Sequence, residues 1–355
     1  LLDNTPKAKK RVRKGDLLFG TVDTYLVWKL TAGRVHATDY SNASRTMIFD
    51  INRRTWDRKL LDLLEIPSEI LPEVGSSSDV LGYTDKTFFG KEIPISGIIG
   101  DQQAALFGQG GFEPGVAKNT YGTGCFVLQN IGDRPPAVRS GLISTIAWGL
   151  GGKATYALEG SIFIGGAVIQ WLRDGLGIIG EASDTEAIGR KTPTSGGVYF
   201  VPAFTGIGAP YWNMYARGLI IGITRDTTSG QIVRAALESI CLQTVDVLQM
   251  MTKAGRKRLR SLRADGGAST NAFLMQLQSD LLGLPVERSA VPETTALGAA
   301  FLAGLAVGVW EELDELKHLR EVDRTFTPTM PAKMRKDIHA DWKRAVQRAL
   351  DWAKA

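Results

Sequence analysis

Ile93-Pro94-Ile95-Ser96-Gly97-Ile98-Ile99-Gly100-Asp101-Gln102-Gln103-Ala104-Ala105 reads as a buried strand that stops on a glycine and an acid and turns at once into a helix. The apolar run has strand length, and the Ala- and Gln-rich segment after it favours a helix. The same grammar returns downstream. Val116–Tyr121 and Cys125–Gln129 are strand-like runs joined by Gly122-Thr123-Gly124, a hairpin signal. Leu259–Ala264 runs as a strand into Asp265-Gly266-Gly267 and then a helix through Leu282. Further strands are expected near Thr155–Leu158, Val198–Val201 and Gly218–Ile223, and a helix over Ile162–Asp174. Thr227-Thr228-Ser229 can cap another, whose face is Ile232, Val233, Ala236, Leu237, Ile240, Cys241 and Val245. This alternation of strands and helices predicts α/β layers.

Upstream, Asp16–Leu30 has helical spacing and is stopped by Thr31-Ala32-Gly33. Residues 34–50 read as extended and loop, and 55–65 as a short helix ended by Pro67. Leu1-Leu2-Asp3-Asn4 reads as the end of a helix cut in the middle. The texture changes after Gly110, which places a boundary between domains 1–109 and 110–355.

The 355 residues, 44% of them hydrophobic, suffice for two domains with a substantial core. The formal net charge is +5. Much of the excess sits in Lys7, Lys9, Lys10, Arg11, Arg13 and Lys14. No aromatic residues interleave with these charges, so the run reads as a solvated helix face or turn rather than a nucleic-acid surface. Cys125 and Cys241 have no metal or redox spacing, and the absence of a signal-peptide pattern adds to the expectation of a reducing, cytoplasmic setting. His36, His318 and His339 are scattered, which argues against a histidine metal site or triad. Thr192–Ala216 carries three prolines, and Thr294–Trp310 falls short of the roughly 20 residues a bilayer requires, so no membrane insertion is expected.

No Walker A motif occurs, since Gly90-Lys91 continues into Glu92, and the protein-kinase catalytic set is absent. The chain offers instead three glycine turns at strand ends: Gly100-Asp101-Gln102-Gln103, Tyr121-Gly122-Thr123-Gly124 and Asp265-Gly266-Gly267-Ala268. Glycine lets backbone N–H groups converge on an anion, and a helix start after the turn adds a favourable dipole. Each alone also suits an ordinary turn. Three in order, one with a lone acid between strand and helix, point to a shared nucleotide.

Gly20–Thr24, Asp39–Met47 (DYSNASRTM), Gly100–Gln109 (GDQQAALFGQ) and Asn119–Phe126 (NTYGTGCF) resemble the glycerol kinases of the FGGY carbohydrate-kinase family. Pro202–Trp212, Asp265-Gly266-Gly267 and Thr295–Ala300 extend the likeness, which runs to about residue 327. The resemblance implies an actin-like ATPase (ribonuclease-H-like) fold of two domains, the first incomplete, closing on ATP, Mg2+ and glycerol. It implies a homo-oligomer, dimer or tetramer, when complete.

By the same resemblance Asp101 is the catalytic base and touches the attacking hydroxyl, and Gln102 contacts glycerol. Phe126 forms an apolar wall against the glycerol carbons. Thr123 meets the terminal phosphates, Gly166 and Gln170 line the nucleotide, and Gly267 and Asn271 form the adenosine loop. Thr295–Gly304 is the connecting helix, with a packing role. Read from the residues alone, Asp101 also suits a helix N-cap and Phe126 a core strand. Gly166 equally suits helix packing, and Gln170 a solvated surface.

The resemblance places the family's first phosphate loop, its magnesium-holding acid and several glycerol contacts upstream of Leu1, so the chain alone is expected not to phosphorylate glycerol. Where some bacterial relatives bind fructose 1,6-bisphosphate, this chain has Lys86-Thr87-Phe88-Phe89-Gly90-Lys91-Glu92, with Glu92 in place of an expected arginine and no histidine to be phosphorylated. Pro328–Lys336 lacks the glutamate that some relatives use to share zinc with a transport partner. Two other readings stay open: a kinase of another polyol or sugar, and an inactive nucleotide-binding fragment.

Overall fold

The computed structural model describes residues 2–135, 141–255 and 257–354. A nine-stranded sheet organises them. In chain order its strands are β1 (Ser78–Tyr83), β2 (Pro94–Gly97), β3 (Ala117–Tyr121), β4 (Cys125–Gly132), β5 (Ile143–Leu150), β6 (Lys153–Ile162), β7 (Leu262–Asp265), β8 (Val286–Ser289) and β9 (Val322–Phe326). Across the sheet they run β9-β8-β7-β3-β4-β6-β5-β1-β2. β3 and β4 pair antiparallel, as do β4 and β6, while β7 lies parallel beside β3 and β8 parallel beyond β7. β1 and β2, from the first segment, extend the same sheet past β5.

Both faces are covered, by helices α1 (Asp101–Gly108), α2 (Ala167–Asp174), α3 (Asp184–Lys191), α4 (Ser229–Gly255), α5 (Ala272–Leu282), α6 (Thr294–Ala306) and α7 (Ala332–Ala349). Side chains alternate along a strand, so β4 divides its residues between two cores. Cys125 and Val127 join Leu237, Ile240, Val247 and Trp342 beneath α4 and α7. Leu128 joins Leu106, Phe107, Trp148, Phe301 and Leu302 beneath α1 and α6.

The α1–α6 crossing depends on two glycines. A methyl group on Gly298 would overlap the Ala104 carbonyl, and one on Gly108 would lie 2.8 Å from the Gly298 nitrogen. Close approach of backbones requires the missing side chain at both.

Several boundaries differ from the sequence reading. The helix expected from Asp16 starts only at Val22, because Phe19 donates its amide to the Ile70 carbonyl at 2.7 Å and Thr21 is extended. Leu2–Asn4 form turns, and the first helix is Ala8–Arg13, which carries part of the basic run; Leu1 lies outside the described residues. The expected helix from Ile162 begins at Ala167, since β6 continues through Ile162 and the following glycines dock on the Gly122–Thr123 turn. No helix among the described residues is long and apolar enough to cross a membrane.

Candidate active site

The turn that opens α1 is built by side chains far upstream. Gly100 is the N-cap, not Asp101, which is the first helical residue. Gly100 donates its amide to Ser41 Oγ at 2.8 Å. Ser41 in turn donates to Asp39, a fully buried carboxylate. Asp39 also accepts from the Asn42 side chain at 2.8 Å and from Ser77 Oγ at 2.6 Å. Burial pushes the Asp39 carboxyl up from its ordinary range, and these donors oppose the shift. The Asp39-Tyr40-Ser41-Asn42 run thus fixes the loop that presents Asp101.

Asp101 is exposed at the start of α1, where the helix dipole favours a negative charge. Its Oδ1 accepts the Gln102 amide N–H at 2.7 Å, and its Oδ2 accepts Gln102 Nε2 at 3.1 Å. Thr295, at the start of α6, reaches the Asp101 carbonyl at 3.5 Å. Beneath lies β3. Lys118 Nζ donates to Gln102 Oε1 at 2.5 Å and to Thr120 Oγ1 at 2.8 Å. Thr120 pairs across the ladder with Phe126, whose ring is 37% exposed although it sits on an inner strand. Among the described residues, an apolar ring left open there presents a wall to the solvent side of the strand.

One residue beyond Thr120 a cleft of about 520 Å³ opens, within the range of small-ligand sites. All five residues expected at the nucleotide line it: Thr123, Gly166, Gln170, Gly267 and Asn271. Asp101, Gln102 and Phe126 do not line it; they join it through Lys118, Thr120 and Tyr121 of the intervening strand.

Thr123 is exposed on the hairpin turn, and its carbonyl accepts the Gly165 and Ala167 amides at 2.8 and 3.0 Å. Gly166 donates to the Gly122 carbonyl at 2.8 Å, and a methyl on it would sit 2.8 Å from that oxygen, so it serves packing as well as the cleft wall. A methyl on Gly267 would meet nothing within 4 Å, so the space beside it belongs to the cleft. Asn271 caps α5 by accepting the Leu274 amide at 2.9 Å and donates to Thr185 Oγ1 at 3.0 Å.

Two contributions escaped the sequence reading. The first is α3, which brings Thr185 and Glu186 to the cleft. Glu186 accepts the Ala272 amide at 3.0 Å and Arg190 at 2.8 Å; the Arg190 hydrogen bond holds its carboxyl below the ordinary range. The second is Lys118. Its signal was a lone lysine inside a strand otherwise built to be buried.

The chain matches the FGGY family of carbohydrate kinases, N-terminal domain, over residues 1–108 and the C-terminal domain over residues 117–307. The chain belongs to the FGGY family of carbohydrate kinases. Among its FGGY relatives, "Glycerol kinase 2" of Thermotoga maritima is 60% identical over 354 residues, covering 100% of this chain and 71% of the relative. The crystal structure of Plasmodium falciparum glycerol kinase with ADP superposes with a TM-score of 0.93 at 39% identity, covering 99% of this chain and 70% of that one. Xylulose kinase of Lactobacillus acidophilus shares the fold, with a TM-score of 0.82 at 23% identity, over 98% of this chain and 69% of that one. These neighbours have the actin-like ATPase fold of the FGGY kinases, and so does this chain.

Proposed function

We propose that the protein transfers the γ-phosphoryl group of ATP to a terminal hydroxyl of glycerol, giving sn-glycerol 3-phosphate and ADP. The observation that carries this reading is a cleft lined by Thr123, Gly166, Gln170, Gly267 and Asn271, joined through one strand to an exposed carboxylate at a helix start. The glycerol kinases at 56–60% identity support glycerol as the acceptor.

Phosphoryl transfer is chiefly positioning and charge stabilisation, with a carboxylate to take the hydroxyl proton. Asp101 takes that proton. The Gln102 amide holds the carboxylate and a glycerol hydroxyl, and Phe126 excludes water from the carbon face. Thr123 and its glycine turn meet the terminal phosphates, Gly166 and Gln170 flank the nucleotide, and the room beside Gly267 admits the adenosine next to Asn271.

Among the described residues no three acidic, histidine or cysteine side chains converge as a metal cage. Magnesium uses only one or two carboxylates plus substrate phosphates, so it would be held here chiefly through the phosphates of the nucleotide in the cleft. Bound there, magnesium supplies neutralisation of phosphate charge. We place the division between the two kinase domains near Gly110. Cys125 and Cys241, free and buried, suit a reducing cytoplasm.

The test takes the protein as its gene encodes it, with ATP, magnesium and a panel of glycerol, other polyols and ketopentoses, followed by phosphorus NMR of the product. Glycerol 3-phosphate is the expected product. A ketopentose phosphate formed in preference to it sinks the reading.

A further inference from the structure

Lys118 is the second residue of β3 and has no solvent exposure. An ammonium group in a protein interior is costly unless well paired. Its two partners give it a purpose. By taking Gln102 Oε1, Lys118 leaves the Gln102 amide one orientation, with Nε2 toward Asp101. A flipped amide would set N–H groups against the ammonium and an oxygen against the carboxylate, unfavourable on both sides. Thr120 Oγ1 anchors the ammonium from the same strand face.

We propose that Lys118 is a positioning residue for phosphoryl transfer, locking the Gln102 amide so that it holds the Asp101 carboxylate in its reactive orientation. This rests on the roles proposed above for Asp101 and Gln102.

The charged and titratable groups facing Lys118 are Asp265 from β7, Glu159 from β6, Asp101 from α1 and Cys125 from β4. Asp265 accepts from Gln109 and Thr294, and Glu159 holds Arg45 in a two-pronged pair at 2.8 and 3.0 Å. Burial pushes the Cys125 thiol up to about 12, so it stays neutral. Burial draws the Lys118 ammonium down to about 8, against the pull of the three carboxylates. The lock is therefore charged at neutral pH and weakens as pH rises through about 8.

The test compares the wild type with Lys118→Met, which keeps an unbranched stem, and Thr120→Val, which keeps the ammonium but removes its anchor. Lys118→Met is expected to lower kcat on the order of 10²-fold, the cost of an ångström-scale misplacement, with ATP affinity unchanged. The wild type should show an alkaline fall in kcat near pH 8 that Lys118→Met lacks. Thr120→Val should lower kcat less and keep the alkaline fall.

The Gln102 side-chain amide resonances, assigned by their loss in Gln102→Glu, should shift in both variants. A folded Lys118→Met with wild-type kcat, pH profile and Gln102 resonances overturns the proposal. If that variant does not fold, unchanged kcat and resonances in Thr120→Val overturn it. A wild type that does not phosphorylate glycerol defeats the functional reading instead. The Gln102 resonances then decide alone whether Lys118 sets the amide.

Discussion

Replacing one hydrogen by a methyl group should have opposite consequences at two glycines of this fold. In Gly298→Ala the new carbon lies 2.7 Å from the Ala104 carbonyl carbon and 3.0 Å from the Gly108 nitrogen, nearer still to the Ala104 oxygen. All of these are backbone atoms of α1, so no side chain can rotate away. Overpacking of this kind costs about 3 kcal/mol, the upper end of the usual range. Alanine returns about 1 kcal/mol of helix propensity, which leaves a loss of about 2 kcal/mol. For a chain of this size, with about 2 cal/mol/K of unfolding entropy per residue, the unfolding midpoint should fall by about 3 °C.

Gly267→Ala meets no atom within 4 Å, so its midpoint should stay near that of the wild type. Its methyl instead narrows the cleft, and ATP affinity should drop. Thermal melts followed by circular dichroism, with nucleotide titrations on the same samples, separate the two effects. A Gly298→Ala melt identical to wild type would refute the reasoning about the α1–α6 crossing. Unchanged nucleotide affinity in a Gly267→Leu variant would refute the assignment of that space to the ligand.

Asp246 is a buried carboxylate that accepts from Tyr211 Oη at 2.8 Å, Trp342 Nε1 at 2.7 Å and His339 Nε2 at 2.6 Å, fastening α7 onto α4. Asp246→Ala leaves these groups unpaired and should cost about 3 kcal/mol or more in a urea titration; a change too small to measure would show that the clasp adds nothing. Glu186 has its carboxyl held low in the folded state, chiefly by Arg190, so its stabilisation is present above the unfolded pKa and lost as pH falls through the folded one. Glu186→Gln should therefore lower the melting midpoint at pH 7, and by progressively less as pH falls through the folded-state value; a loss that does not shrink on acidification would contradict the assignment.

The layers and the three glycine turns were legible because each rests on local rules. Ile93–Ile99 is apolar and short, Gly122–Gly124 can only turn, and the α4 stripe repeats every three to four residues. The cleft was legible through the same turns, since a glycine at a strand end and a cap such as Asn271 carry their geometry with them. Boundaries failed where distant chain decided them. Nothing near Phe19 announces that its amide belongs to Ile70, and nothing near Ile162 tells that the next glycines dock on a turn forty residues earlier. Lys118 was missed for a related reason. Its meaning lies in Gln102, which the fold and not the sequence sets above it. The α3 helix, with Thr185 and Glu186, went unread because its apolar stripe is weak and its role comes from packing on α5.

The central claim is that Asp101 is the base that activates glycerol for attack on ATP. Its most direct test is Asp101→Asn in the protein as its gene encodes it, with a coupled assay for ADP release under saturating glycerol and a separate ATP titration. The account predicts intact ATP binding and a kcat lowered about 10²–10⁴-fold, the usual worth of a general base. Turnover of Asp101→Asn at the wild-type rate would contradict it.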